Sequence, residues 1–391
     1  MKRTQAALLA ALASCVVALV TSITSITHAQ TATAPKDIEA QRTAAIERGL
    51  EFLRTHGQAD DGTFTIQAGP GLTGLALTAA LRNGVDIDDP MVAKGFQALE
   101  GFVKPDGGIY GNGRLKNYET CVAIVAFQLA NTDGRYDKLI ANADKFVRTL
   151  QYGATGNEPK SDVWYGGAGY GGPGRPDLSN TSYLVDALVA GGGEANDEAI
   201  QRALVFVSRC QNLARHGNDT KFAALVNDGG FYYTIPTESV DPSSSDRSSS
   251  DRYTADGGLR SYGSMTYSGF KSLIYAGLTE NDPRVKAALE WIGKHYTVAD
   301  NPGQGDAGLY YYYHAFAAAL AASKLDAIES ADGAKHDWRS DLVVELAKRQ
   351  NENGSWTNEN RQWFENDPNL ATSFALIALS YCKEPPATAE P

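Results

Sequence analysis

The sequence predicts an all-α fold of six helical hairpins closed into a ring, and three observations carry that expectation. A first helix, a glycine-bearing turn and a second helix recur along the chain, with first helices beginning near residues 43, 90, 137, 197, 283 and 338. The first helices carry charge (Glu47, Glu51, Arg54; Asp341, Glu345, Lys348), whereas the second are rich in Ala, Gly, Leu and Ser. That asymmetry implies an outer and an inner layer. An open helical array needs a polar cap at each end; neither end reads as one, so closure is the simpler solution.

Ala44 to Leu53 has apolar residues at helical spacing and runs into Gln58–Phe64, after which a second helix spans Leu72 to Arg82 with Gly84 behind it. Asp89-Pro90 then supplies an acidic cap and an N1 proline for a helix over Met91 to Phe102. The turn Asp106–Tyr110 leads to its partner, Tyr118 to Ala130. The third pair is Lys138–Gln151 with Thr181–Val189, joined through the glycine-aromatic run Trp164–Gly172. The fourth is Glu198–Leu213 with Tyr262–Ala276, joined through Asp228–Tyr233. Asp282-Pro283 opens the fifth, Val285–Tyr296, and Gln304-Gly305-Asp306-Ala307-Gly308 delivers four tyrosines and His314 onto an alanine-rich partner helix. The sixth is Trp338–Gln350, then Asn353-Gly354-Ser355-Trp356, then Leu370–Tyr381. Residues 235–256 are serine-rich, polar and aperiodic, and read as a loop insertion on the rim of the turns, a candidate lid.

At the N-terminus, Lys2 and Arg3 precede the apolar run Ala6–Ile23 and the cleavage-like Thr27-His28-Ala29. Residues 1–29 therefore read as a signal peptide, 40–384 as the helical domain and 385–391 as a disordered tail. Export to the periplasm or the outside is expected; a lipoprotein anchored at Cys15 is the lesser alternative, because the apolar run continues past that cysteine. No later stretch is long and apolar enough to span a bilayer. Cleavage would remove two cations and no carboxylate, moving the formal charge from −11 to about −13. Such a balance argues against nucleic acid or an anionic membrane face as partner. Cys121, Cys210 and Cys382 are widely spaced and form no disulfide framework or zinc knuckle.

Gln350-Asn351-Glu352-Asn353-Gly354-Ser355-Trp356 has the pattern Q-x-x-x-G-x-W, and Gln58–Phe64 is Q-x-x-x-G-x-F. These resemble the repeat of squalene and oxidosqualene cyclases, and the Asp-Gly-Gly-aromatic turns resemble those of protein prenyltransferase β subunits. Over residues 40–384 the chain is thus identified as similar to the prenyltransferase and squalene-cyclase repeat group. The resemblance implies an (α/α)6 toroid. In the motif, Gln can bond turn backbone, Gly supplies positive φ, and the aromatic packs over the next hairpin.

The catalytic sets of that group are matched poorly. Asp86-Ile87-Asp88-Asp89 has the cyclase acid pattern, but it precedes Pro90 in a link between hairpins, where a helix cap explains it. Tyr313-His314 stands where a prenyltransferase zinc histidine would, yet Gly263–Tyr267 supplies no Asp or Cys. No metal and no cofactor are expected. Weak catalytic candidates are Asp106, Asp228, Asp256, Asp306 and His314. The ligand-facing candidates are Tyr110, Tyr165, Tyr170, Tyr232, Tyr310, Tyr313, His314 and Trp356, because aromatics at the turns gather around one mouth of a ring. Tyr310, Tyr313 and His314 share a helix face and are expected on the lumen. The expected function is a cavity that binds an apolar or amphipathic, isoprenoid-like ligand. Two alternatives stay open: a terpenoid cyclase or transferase with a non-standard acid, and a glycan-processing toroid, which would place two carboxylates about 5–10 Å apart.

Overall fold

A computed structural model describes residues 35–171, 175–236 and 252–383. The signal-peptide and Cys15 readings, the tail, Gly172 and most of the candidate lid lie outside the described residues. The outer layer comprises α1 (Pro35–Phe52), α3 (Pro90–Glu100), α5 (Asp137–Thr149), α7 (Glu198–Arg209), α10 (Pro283–Lys294) and α12 (Trp338–Arg349). The inner layer comprises α2 (Pro70–Arg82), α4 (Lys116–Ala130), α6 (Leu178–Ala190), α9 (Gly263–Tyr275), α11 (Leu309–Ser323) and α13 (Pro368–Tyr381). Each inner helix packs on the next, and α13 packs back on α2, while α1 packs on α12. The ring is closed: the fold is an all-α (α/α)6 toroid.

Capping sets the helix starts. Asp89, Asp197, Asp282 and Asp337 accept from the first-turn amides of α3, α7, α10 and α12; Asp177 and Asp367 do the same for α6 and α13. The carboxylates of Asp86 and Asp89 are both engaged in the link before α3. Asp86 accepts from the Asp88 amide, and Asp89 caps α3 and pairs with Arg54. α1 starts earlier than its apolar spacing suggested: residues 35–43 are helical, and Asp37, Glu39, Ala40 and Thr43 are exposed. Three small elements carry no periodicity and were not expected: α8 (Ala223–Val226) inside the fourth turn, and the paired two-residue strands β1 (Ile328–Glu329) and β2 (Lys335–His336) between hairpins five and six.

Three contacts tie the turns to the ring. Glycines with left-handed backbone, such as Gly62 (φ 88°) and Gly354 (φ 87°), lie against a carbonyl of the next outer helix, Lys94 O and Arg48 O, where a Cβ would collide. Glutamine amides bridge the same junctions. Nε2 of Gln58 donates to Gly62 O and Met91 O, that of Gln151 to Gly166 O and Ala199 O, that of Gln211 to Gly229 O and Arg284 O, and that of Gln350 to Gly354 O and Ala45 O. The third contact was not anticipated. Hydroxyls of Thr73, Thr120, Thr181, Thr266 and Thr372 on the inner helices accept from the amides of Phe64, Ile109, Ala168, Phe231 and Trp356.

The Gln350 bridge to Ala45 joins the last hairpin to the first. Gln350→Ala leaves two half-buried carbonyls without that donor and is expected to destabilise the protein by about 1–3 kcal/mol. Urea unfolding with an unchanged m-value checks it.

Candidate functional site

The inner helices present a shared face to the centre. Tyr183 and Asp186 lie one turn apart on α6, Ser268 and Lys271 on α9, and Tyr311 and His314 on α11. Together with Ser182 and Ala315 they line a tight central crevice, too narrow to admit a water molecule. Lys271 Nζ donates to Asp186 Oδ2 at 2.6 Å, and the Lys271 side chain is only 4% exposed. Burial pushes the Asp186 carboxyl up, with Lys271 opposing that shift. The Tyr311 and Ser268 hydroxyls share a 3.1 Å hydrogen bond. Burial also raises the phenols of Tyr183 and Tyr311.

His314 sits between aromatic rings, near-parallel to Tyr183 (centroids 6.5 Å, 13°) and Phe374 (5.5 Å, 28°). Burial, then the fields of Lys271 and Arg82, lower its pKa to about 3, so it is a neutral imidazole at physiological pH. Its Nδ1 and the Ser182 hydroxyl are buried with no partner among the described residues. Arg82 donates to Ser380 Oγ, and its guanidinium lies 3.9 Å from the Tyr381 ring.

Of the residues expected at the site, His314 lines this space. Tyr310 and Tyr313 do not, which corrects the expected lumen face: they are 2% and 0% exposed, and their hydroxyls donate to Thr357 O and Val298 O. α11 is buried almost all round, so periodicity gives it no distinct inner face. Tyr311 takes the inward place. Tyr232 and Trp356 are likewise buried, donating to Arg209 O and Leu346 O. Tyr165 packs over Gly153, and Tyr110 donates to Asp106. Tyr170 is 43% exposed in the third turn.

The carboxylate candidates hold turns. Asp106 accepts from the Gly108 amide, and Asp228 from the Gly230 amide, Ser261 and Trp291 Nε1. Asp256 and Asp306 are exposed at turn tips. The charged pair at the centre was missed. Its sequence sign is a lone charge inside each apolar inner-helix run: Leu184-Val185-Asp186-Ala187-Leu188 and Gly269-Phe270-Lys271-Ser272-Leu273.

The buried imidazole has a measurable consequence. Unfolded, it takes a proton near its ordinary value of 6.5; folded, it refuses one until about 3. Stability therefore falls as pH drops from about 6.5 toward 3, by up to about 1.4 kcal/mol per pH unit for this one group. His314→Gln is expected to flatten that limb, read from urea midpoints between pH 6 and 4.

No family model and no curated protein matches the chain by sequence. Solved structures do match in fold. A D-mannose isomerase aligns at TM-score 0.55 with 12% identity, covering 89% of this chain and 97% of that one. A novel α-amylase from Clostridium perfringens aligns at 0.52 with 13% identity, over 87% and 98%. The type II terpene cyclase MstE from Scytonema aligns at 0.47 with 14% identity, over 88% and 98%. These likenesses concern architecture and leave activity to the site itself. In fold the chain is an (α/α)6 toroid, the architecture that its resemblance to the squalene-cyclase repeat group implies.

Proposed function

We propose that this toroid is a binding protein for a small amphipathic molecule, one end of which enters the central space. The observation that carries the reading is a pair of buried atoms with no partner among the described residues, Ser182 Oγ and His314 Nδ1, in residues that line the same crevice as Tyr183 and Tyr311. Buried polar atoms are normally satisfied, so a group that donates and accepts hydrogen bonds completes the site. Lys271 adds an ammonium with donors beyond the one given to Asp186.

Size limits what enters. Pockets that enclose drug-sized ligands run to about 300–1,000 Å3, whereas this crevice as it stands is too tight for a water molecule. A whole isoprenoid does not fit, and a hydroxyl or carboxylate head enters only when the side chains around the crevice part. The cyclase alternative needs a protonated acid facing apolar space. Asp186 is a carboxyl at the crevice, and it is spent on Lys271 Nζ at 2.6 Å rather than facing apolar space. Export through residues 1–29 is part of the same proposal, and N-terminal sequencing of the secreted chain tests it.

Titration calorimetry with hexanoate, hexan-1-ol and hexylamine tests the cavity. Saturable one-to-one binding of hexanoate or hexan-1-ol is expected, weakened tenfold or more by Ala315→Leu, which fills the space without changing a charge. Binding that Ala315→Leu and Ser182→Ala both leave unchanged, or no saturable binding, overturns the proposal.

A further inference from the structure

The second junction of the ring lacks its glutamine. Four residues before Gly107, where Gln58 precedes Gly62 and Gln350 precedes Gly354, the chain has Val103. The local geometry is kept. Val103 bridges Ile109 as Gln58 bridges Phe64, and Gly107 lies against Asn142 O as Gly62 lies against Lys94 O. In the stitched junctions the second acceptor is three residues before that contact, Met91 before Lys94 and Ala45 before Arg48. By the same offset, Gly107 O and Leu139 O are the carbonyls that no side-chain amide reaches among the described residues. Val103 is 40% exposed.

A groove of about 660 Å3 opens over this junction. Val103, Pro105 and Leu139 supply its apolar lining, and Lys104, Lys138 and Lys145 line it too, against the one further carboxylate Glu100. Arg135 at its edge is paired with Asp133, and Asp106 is engaged by Tyr110 and the Gly108 amide. On a chain of net charge −11 this is a locally cationic surface.

We infer that the groove receives an extended acidic segment of a partner protein, whose Gln or Asn side chain enters where Val103 supplies no amide. The four stitched junctions give the template: one side-chain NH2 spans a turn carbonyl and a helix carbonyl. Carboxylates flanking that amide meet the three lysines, and the apolar lining favours a peptide over a sugar chain or polyphosphate. The inference is independent of the central cavity.

The test is fluorescence anisotropy with a labelled, capped Glu-Asp-Gln-Glu-Asp peptide on the full chain. Binding is expected to weaken with salt, and to fall tenfold or more in Val103→Gln, where the chain's own amide occupies the place. A thermal melt at least as high as the parent's accompanies it. The double variant Lys138→Glu/Lys145→Glu is expected to lose binding as well, and keeps the test decisive if Val103→Gln folds poorly. Three results overturn the inference: no binding up to millimolar peptide, binding that survives in the folded variants, or tighter binding of inorganic polyphosphate than of the peptide.

Discussion

At five of the six junctions a backbone carbonyl of an outer helix faces a turn glycine of the preceding hairpin, with no room between them for a side chain. The left-handed conformation at those glycines is open to few other residues, so the contact fixes both the turn and the approach of the next helix. Around it, a threonine hydroxyl accepts the amide two residues on, and at four junctions a glutamine carries the link across to the neighbour. These bonds are short-range and polar. They set where each inner helix begins, and thereby how wide the ring can be at its centre.

The centre is narrow and polar. A buried ion pair such as Lys271–Asp186 contributes little net stability, because desolvation offsets most of its attraction. Two apolar residues of like volume would hold the ring as well or better. Charges, a neutral imidazole and a bare hydroxyl at the axis therefore do not serve stability, which is what the proposed recognition of a polar group would require. The aromatic residues serve a different end. Most of the tyrosines at the start of α11 use their hydroxyls to satisfy carbonyls between hairpins, so they act as long, rigid struts with a polar tip.

The architecture was legible because its determinants are local: acidic caps before proline, glycine at the turn, small residues on the inner helices. The pairing of layers and the closure both follow from those marks. The site was less so. Four tyrosines beside His314 drew attention to α11, but that helix is buried on every side, and helical spacing cannot rank faces that are all apolar. Asp186 and Lys271 stand 85 residues apart, on helices brought together only by the ring. Their single charges inside apolar runs were visible; their meeting was not. The threonine brackets escaped notice because a lone Thr in a helix has no distinctive neighbour pattern.

The bond from Gln350 to Ala45 spans 305 residues of chain. Every other stitch can form between neighbours as they are made, so the nascent protein grows as an incomplete arc with one raw flank. Only when the sixth hairpin exists can the arc shut. Forming so distant a contact is slow, and until then α2 exposes the side that α13 will cover. A ring of this kind is at its most vulnerable to self-association, and most open to a chaperone, in the interval just before its ends meet.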